Sequence, residues 1–334
     1  MSERTYPTTL KPYGAALVDL AATRDDVLCL TGDLTRQCEI DLFQEAYPDR
    51  FIHTGMAEAN MISMAGALAR RGHMPFVHTF GVFATRRPLD QIINSVAYPN
   101  LPVRIVGFMP GVSSPGGPSH QAIDDVAFMR TIPNMTVVDV ADATETRQAV
   151  QAIADVPGPV YLRLKRGEIP VMFDEADHDF RLDRAQVLRR GGDVAIISSG
   201  MLVAAALNAA DTLAAAGVEA TVLNVPVIKP FDAASVLDAV RGVRGVVTAE
   251  NHLVTGGLGS AVAEVLAEAG AAAPLRRVGL QDTFAEGAKS APLLFRKYGL
   301  STSNIVDAAW ALAGTGPAPV VAVADVAEGE YAPV

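Results

Sequence analysis

Read for its apolar positions, the chain divides into short uninterrupted apolar runs separated by segments with helical spacing. The runs cover residues 27–31, 75–80, 103–107, 135–139 and 160–164, with a shorter extended piece at 51–54. They are apolar at nearly every position rather than at alternate ones. Such runs suit strands covered on both faces, and helices between them make the sheet parallel. The spacing predicts helices from Pro12 (Tyr13, Leu17, Leu20), after Gly55 (Met61, Met64, Ala65, Leu68), near Val82-Phe83 and over 144–154. Residues 166–192 are charged, contain Pro170 and have no helical period. The period then restarts, with strands at 194–200, 218–223 and 246–250 and helices at 203–215, 257–268, 291–298 and 303–312.

The fold expected is α/β with two domains, the first built on a parallel sheet and the second smaller. The segments are an N-terminal arm (1–11), a first domain (12–166), a linker (167–192), a second domain (193–314) and a Pro-, Ala- and Val-rich tail (315–334). At 334 residues the chain is long enough for two cores. Half its residues are apolar and 19% are charged, which excludes a disordered chain. A net charge of −10 argues against non-specific nucleic-acid binding. There is neither a charged-then-apolar leader nor a long uncharged apolar run, so neither secretion nor membrane spanning is expected. Cys29 and Cys38 have no metal or disulfide spacing. That suits a reducing cytoplasm, with Cys29 a small core residue.

Two stretches carry candidate chemistry. In Gly55-Met56-Ala57-Glu58-Ala59-Asn60-Met61 a glycine ends an extended run and Glu58 enters the first turn of a buried helix. From position alone a helix-start charge facing water is the simpler reading, since acids are common in first turns. The alternative is a buried acid with a task. Residues 110–120 form a loop of small residues stiffened by proline and ending in His120. A surface turn is the plain account, but the loop follows the C-terminal end of a parallel strand, where open α/β sheets place ligands. There is no GxxxxGK loop, no GxGxxG after a strand, no zinc spacing and no Gly-x-Ser-x-Gly elbow. Gly256-Gly257-Leu258-Gly259 lacks the dinucleotide spacing, and close helix packing explains it better.

Taken in order, Gly32-Asp33-Leu34, the Glu58 stretch, Thr79-Phe80-x-x-Phe83-Ala84 and Gly117-Pro118-Ser119-His120-Gln121 resemble transketolase. Over roughly residues 10–313 the chain is similar to the pyrimidine-binding and C-terminal domains found in the smaller subunit of split bacterial transketolases. The resemblance implies a transferase that moves a two-carbon ketol unit from a ketose to an aldehyde, dependent on thiamine diphosphate and Mg²⁺. It turns Glu58 into the acid that hydrogen-bonds a ring nitrogen of the aminopyrimidine, a role suited to a carboxyl kept protonated by burial. Phe83 would stack on that ring, Phe80 would line the same pocket on the same helical face, and Asp33 would stand near the thiazolium. His120 would be the second catalytic residue, contacting the donor and serving as proton donor or hydrogen-bond partner. Arg166, with Arg163 nearby, would meet the substrate anion. The family's diphosphate–Mg²⁺ motif is missing, which implies a larger partner subunit carrying it and an α₂β₂ assembly. No catalytic role is expected for the second domain.

Departures from the family pattern are equally specific. Gly116 replaces an aspartate that contacts a sugar hydroxyl, Phe108 replaces a clamp histidine, Gln37 stands for a clamp serine, and Arg86 stands for a tyrosine. They imply a donor or acceptor other than an ordinary sugar phosphate bound in the ordinary way. Two competing readings remain at this point. One is a β subunit of a 2-oxo acid dehydrogenase, which usually carries Gly-x-x-His-Ser at the loop. The other is a non-catalytic partner that stabilises the larger subunit.

Overall fold

The computed structural model describes residues 3–321; residues 1–2 of the expected arm and 322–334 of the expected tail lie outside that range. Among the described residues the strands are β1 (Thr8–Thr9), β2 (Val27–Thr31), β3 (Phe51–His53), β4 (Met74–Phe80), β5 (Arg104–Phe108), β6 (Thr136–Asp139), β7 (Val160–Leu164), β8 (Ile169–Pro170), β9 (Gln186–Arg189), β10 (Val194–Ser198), β11 (Ala220–Asn224), β12 (Val227–Lys229), β13 (Val246–Leu253) and β14 (Leu275–Leu280). The larger sheet has the order β12-β6-β7-β5-β4-β2-β3. All its pairings are parallel except β12 with β6.

The continuous apolar runs are explained by what lies on each face of this sheet. Cys29, Phe76, Val106 and Leu162 point to one side, where the helices Pro12–Thr23 and Ala143–Ala154 bring Tyr13, Leu17, Leu20, Val150 and Ile153. Leu30, Val77, Ile105 and Tyr161 point to the other, where the helix Glu58–Ala69 brings Met61, Ile62 and Ala65. The buried stripe of that helix is turned from the expected one: Met64 and Leu68 are only half-buried, whereas Ile62 and Ala69 are buried.

The second sheet has the order β14-β13-β10-β11-β9. The helices Val203–Ala215 and Thr302–Ala313 cover one face. Ala195, Ile197, Leu223 and Leu258 on the other side join the same apolar cluster as Leu30 and Ile105, so the core runs unbroken between the two domains.

Three short strands depart from the expected boundaries. β12 lies inside the expected second domain yet pairs with β6 of the first, Val227 against Val138. β9 lies in the expected linker yet completes the second sheet, antiparallel to β11. β1 of the expected arm pairs with β8 of the linker. Each is an edge strand of two to four residues, too short to show a period and fixed by partners remote in sequence. No helix among the described residues is long and apolar enough to cross a membrane.

Candidate active site

Five neighbouring strands of the larger sheet, β7, β5, β4, β2 and β3, end on one edge. The chain runs from β2 to β3 on one side and on to β4 on the other, so the order reverses between β2 and β4. A crevice at the carboxyl ends of the strands is expected there. Gly32 and Asp33 follow β2, Glu58 follows β3, Phe80 ends β4, the loop to His120 follows β5, and Lys165-Arg166 follow β7. The residues singled out from sequence are thus gathered along one edge by strand order, with one exception described below.

Glu58 is the first residue of its helix and only 3% exposed. The entry turn relies on Gly55, whose φ of +69° lies in the left-handed region that glycine adopts without strain. Glu58 has a partner that the sequence did not announce. Arg87 Nη1 donates to its Oε1 at 2.7 Å, and the Arg87 guanidinium carbon lies 3.9 Å from the centre of the Phe83 ring. Beneath Glu58, Thr79 Oγ1 is buried with no hydrogen-bond partner. Gly32 completes the floor: a Cβ there would touch Thr79 and the Glu58 side chain at 3.6–3.8 Å.

Phe80 and Phe83 do not share a helical face as expected. Phe80 is the last residue of β4 and Phe83 belongs to the short helix Gly81–Arg86 that follows. Their rings nevertheless stack, with centroids 6.0 Å apart and planes 26° apart. His120 packs edge-on against Phe83 at 5.3 Å. Its Nδ1 is engaged by the Ser119 hydroxyl at 2.9 Å, which leaves Nε2 as the ring nitrogen for a ligand. Asp33 stands on the exposed rim with φ +69°, held by His53 Nε2 at 3.0 Å.

Beside His120 opens a cavity of about 590 Å³, lined by Phe80, Met109, His120, Lys165, Arg166 and Met201 among others. Burial pulls the Lys165 ammonium below its usual range, against the pull of Glu168. Arg163 is the exception noted above and corrects the expectation that it meets substrate. It lies inside β7, is 2% exposed, and its N–H groups are taken. Nε and Nη2 bind both oxygens of Asp125 at 2.8 and 3.1 Å, Nη1 binds Asp139 at 3.1 Å, and Nη2 also reaches the Asn251 carbonyl at 3.1 Å. Only Arg166 of the two lines the cavity.

The second domain contributes more than the sequence suggested. Asn251 at the end of β13 accepts from Val112 N at 3.0 Å and donates to the Pro110 carbonyl at 2.9 Å, clamping the loop that carries His120. At Gly111 a Cβ would lie 2.1 Å from Asn251 Oδ1, so only glycine permits this approach. Gln121 ties the other end of the loop to the carbonyls of Ser114 and Glu286. Met201 and Ala291, also from the second domain, line the cavity. The Gly256–Gly259 stretch opens the helix Leu258–Glu268, whose first N–H groups are met by the Glu250 carboxylate at 2.7 and 2.8 Å. A Cβ at Gly257 would strike that carboxylate, which accounts for the glycines as packing.

Comparison with known proteins gives a consistent picture. Residues 6–172 match the transketolase pyrimidine-binding domain and residues 183–305 match the transketolase C-terminal domain. A putative uncharacterized transketolase family protein from Sinorhizobium fredii is 45% identical over 302 residues, covering 90% of this chain and 87% of its own. The 6-deoxy-6-sulfo-D-fructose transketolase subunit SqwH of a Clostridium species is 44% identical over 298 residues, covering 89% and 92%. Among solved structures, a split-gene transketolase described as an inactive β4 tetramer superposes with a TM-score of 0.83 at 41% identity, covering 90% of this chain and 97% of that one. The chain belongs to the transketolase family, and is of the two-domain type represented by the subunits of split enzymes.

Proposed function

We propose that this chain is the smaller, pyrimidine-binding subunit of a thiamine diphosphate- and Mg²⁺-dependent transketolase that moves a two-carbon ketol unit from a ketose to an aldehyde. The observation that carries this reading is the joint placement of Glu58, Phe83 and His120 on one edge by the loops after β3, β4 and β5. The residues fit an aminopyrimidine. A buried carboxyl and the ring face of Phe83 already hold a planar N–H donor, the guanidinium of Arg87. The unpartnered Thr79 hydroxyl offers a further polar contact in the floor.

Thiamine diphosphate supplies, when bound, the carbanion chemistry that breaking a carbon–carbon bond beside a carbonyl requires. This chain's residues do the rest. Glu58 orients the aminopyrimidine through a ring nitrogen, and Phe83 supports it from one face. Phe80 and Phe83 exclude water. His120, fixed through Nδ1 by Ser119, holds or delivers a proton at Nε2 to the carbonyl oxygen of the sugar. Arg166, with Lys165 beside it, receives an anionic group at the far end of the donor. Asp33, on the exposed rim, would face the thiazolium. Ligands for the diphosphate and Mg²⁺ are assigned to a larger partner subunit in an α₂β₂ assembly. The solved relative built of β chains alone and described as inactive agrees with that division.

The relative named for a sulfonated fructose favours a ketose with an anionic tail, sulfonate or phosphate. Gly116, where the family carries an aspartate, lines the cavity without a side chain and leaves room there, whereas Phe108, in place of a histidine, is buried in the core against Tyr13 and offers the donor no polar group. The test is co-purification with the candidate larger subunit, then thiamine diphosphate titration and a ketol-transfer screen over phosphorylated, sulfonated and neutral ketoses. Turnover in the mixture alone, abolished by Glu58→Ala, is the expected result. Tight Mg²⁺-dependent binding of thiamine diphosphate to this chain by itself, or undiminished turnover in Glu58→Ala, would overturn the assignment.

A further inference from the structure

The slot between Glu58 and Phe83 is filled by the chain's own Arg87. The guanidinium lies against the Phe83 face at 3.9 Å and donates to Glu58 at 2.7 Å. These are the two contacts that the proposed function gives to the aminopyrimidine ring. A ring stacked on the face of Phe83 that the guanidinium covers needs the space that Arg87 holds, and Arg87 withholds Oε1 of Glu58 from a ring nitrogen, leaving only Oε2 to accept.

We propose that Arg87 is a placeholder that closes the pyrimidine slot in the free chain and swings outward when the ring enters. The proposal rests on the reading of Glu58 and Phe83 given above and adds a residue that this reading does not contain. Three features make the exchange feasible. The Arg87 side chain is 49% exposed, so it has solvent to move into. It sits just past the end of the short helix Gly81–Arg86 and before Pro88, where displacing it breaks no helical packing. Its neighbour Arg86 is fixed separately to Asp124 at 3.1 Å, so the backbone stays anchored while Arg87 turns. While in place, Arg87 also gives the buried Glu58 carboxylate a cation, and so removes the cost of an unpaired buried charge before the ligand arrives. A binding-competent form populated only when Arg87 is out weakens the apparent affinity by the fraction of chains in that form.

The experiment uses the full chain and thiamine itself as the probe. Thiamine lacks the diphosphate, so its binding reads the pyrimidine slot without the partner subunit. Dissociation constants are measured by ligand-observed NMR for wild type, Arg87→Ala and Arg87→Lys, with folding checked by circular dichroism. Arg87→Ala is expected to bind thiamine about 5–10-fold tighter than wild type, for an open fraction on the order of 0.1–0.2. Arg87→Lys, which lacks the planar fork, falls between them. In wild type, phenylglyoxal modification of Arg87, followed by peptide mass spectrometry, is expected to accelerate when thiamine is present. Equal or weaker binding by Arg87→Ala, or protection of Arg87 by thiamine, would show that the arginine helps hold the ring, and would overturn the placeholder while leaving the proposed function intact. Failure of every folded variant to bind thiamine would instead overturn the assignment of the slot, and the placeholder with it.

Discussion

Replacing Arg163 by leucine separates a structural from a substrate-binding role, and the structure sets the size of the effect. The guanidinium is 2% exposed and binds two buried carboxylates: Asp125, through both oxygens, and Asp139. Asp125 also accepts from the Tyr161 hydroxyl at 2.6 Å, and Asp139 from Ser199 at 2.9 Å. Leucine keeps much of the volume but leaves both acids without a cation. Removing one partner from a buried, hydrogen-bonded charge cluster costs about 3–5 kcal/mol, mostly as uncompensated charge. Unfolding entropy of about 2.1 cal/mol/K per residue gives roughly 0.7 kcal/mol/K for 334 residues. The melting temperature should therefore fall by about 4–7 °C if the chain unfolds as one unit. The assay is thermal unfolding by calorimetry beside steady-state kinetics of the reconstituted enzyme. Arg166→Leu is the control: half-buried at the cavity rather than in the core, it is expected to raise KM for an anionic ketose while the melting temperature stays within about 1 °C. An unchanged melting temperature in Arg163→Leu, with a raised KM, would refute the reasoning and return Arg163 to the substrate.

Two buried groups set opposite pH dependences. Burial pushes the Glu39 carboxyl up to about 7 although it accepts from Tyr13 N and Gly14 N, so the native chain holds a proton that the unfolded chain has released and stability falls as pH rises between about 4.5 and 7. Glu39→Gln keeps an acceptor for those N–H groups, and urea denaturation should find it level with wild type near pH 4.5 and more stable by about 2–3 kcal/mol at pH 8. A gap that is the same at both pH values would dispose of the explanation. Burial lowers His78 to about 4, with Tyr13 and the Leu30 carbonyl on its two ring nitrogens, so its contribution is fully present above about 6.5 and is lost as pH falls toward 4. His78→Gln should accordingly lose less stability than wild type between pH 7 and 4, by up to about 3 kcal/mol, and parallel pH curves would count against it. His120→Ala should lower kcat of the reconstituted enzyme by about 10²-fold or more while leaving thiamine diphosphate affinity unchanged; a loss confined to cofactor affinity would remove His120 from the chemistry.

Much of the architecture was legible because it depends on local pattern. The runs at 27–31 and 160–164 read as doubly covered strands, and in the fold β2 and β7 are covered on both faces. The candidate residues were legible because parallel strands deliver their following loops to one edge, whatever lies between them in sequence. What escaped depends on partners remote in the chain. Arg163 and Arg166 look alike in sequence, yet one is inside β7 and the other beyond its end, and the acids that claim Arg163 lie 38 and 24 positions away. Position within the strand was the available signal. Arg87 escaped because nothing in Arg86-Arg87-Pro88 says which arginine turns toward Glu58. The role of Asn251 escaped because its partners, Pro110 and Val112, lie some 140 residues earlier. Phe80 was placed on a helix because a spacing of three fits a helix as readily as a strand-to-helix corner.

The antiparallel pairing of β12 with β6 has a consequence for how the protein can be taken apart. Cutting the chain in the 167–192 segment, where composition marks a seam, would not release two self-sufficient modules. The first piece would lose the strand that caps its sheet, baring the main-chain donors and acceptors of β6. It would also lose the Asn251 brace on the loop that carries His120. Fragments made at that seam should therefore associate or aggregate through the open edge rather than behave as monomers, and the two domain names describe ancestry better than they describe autonomy.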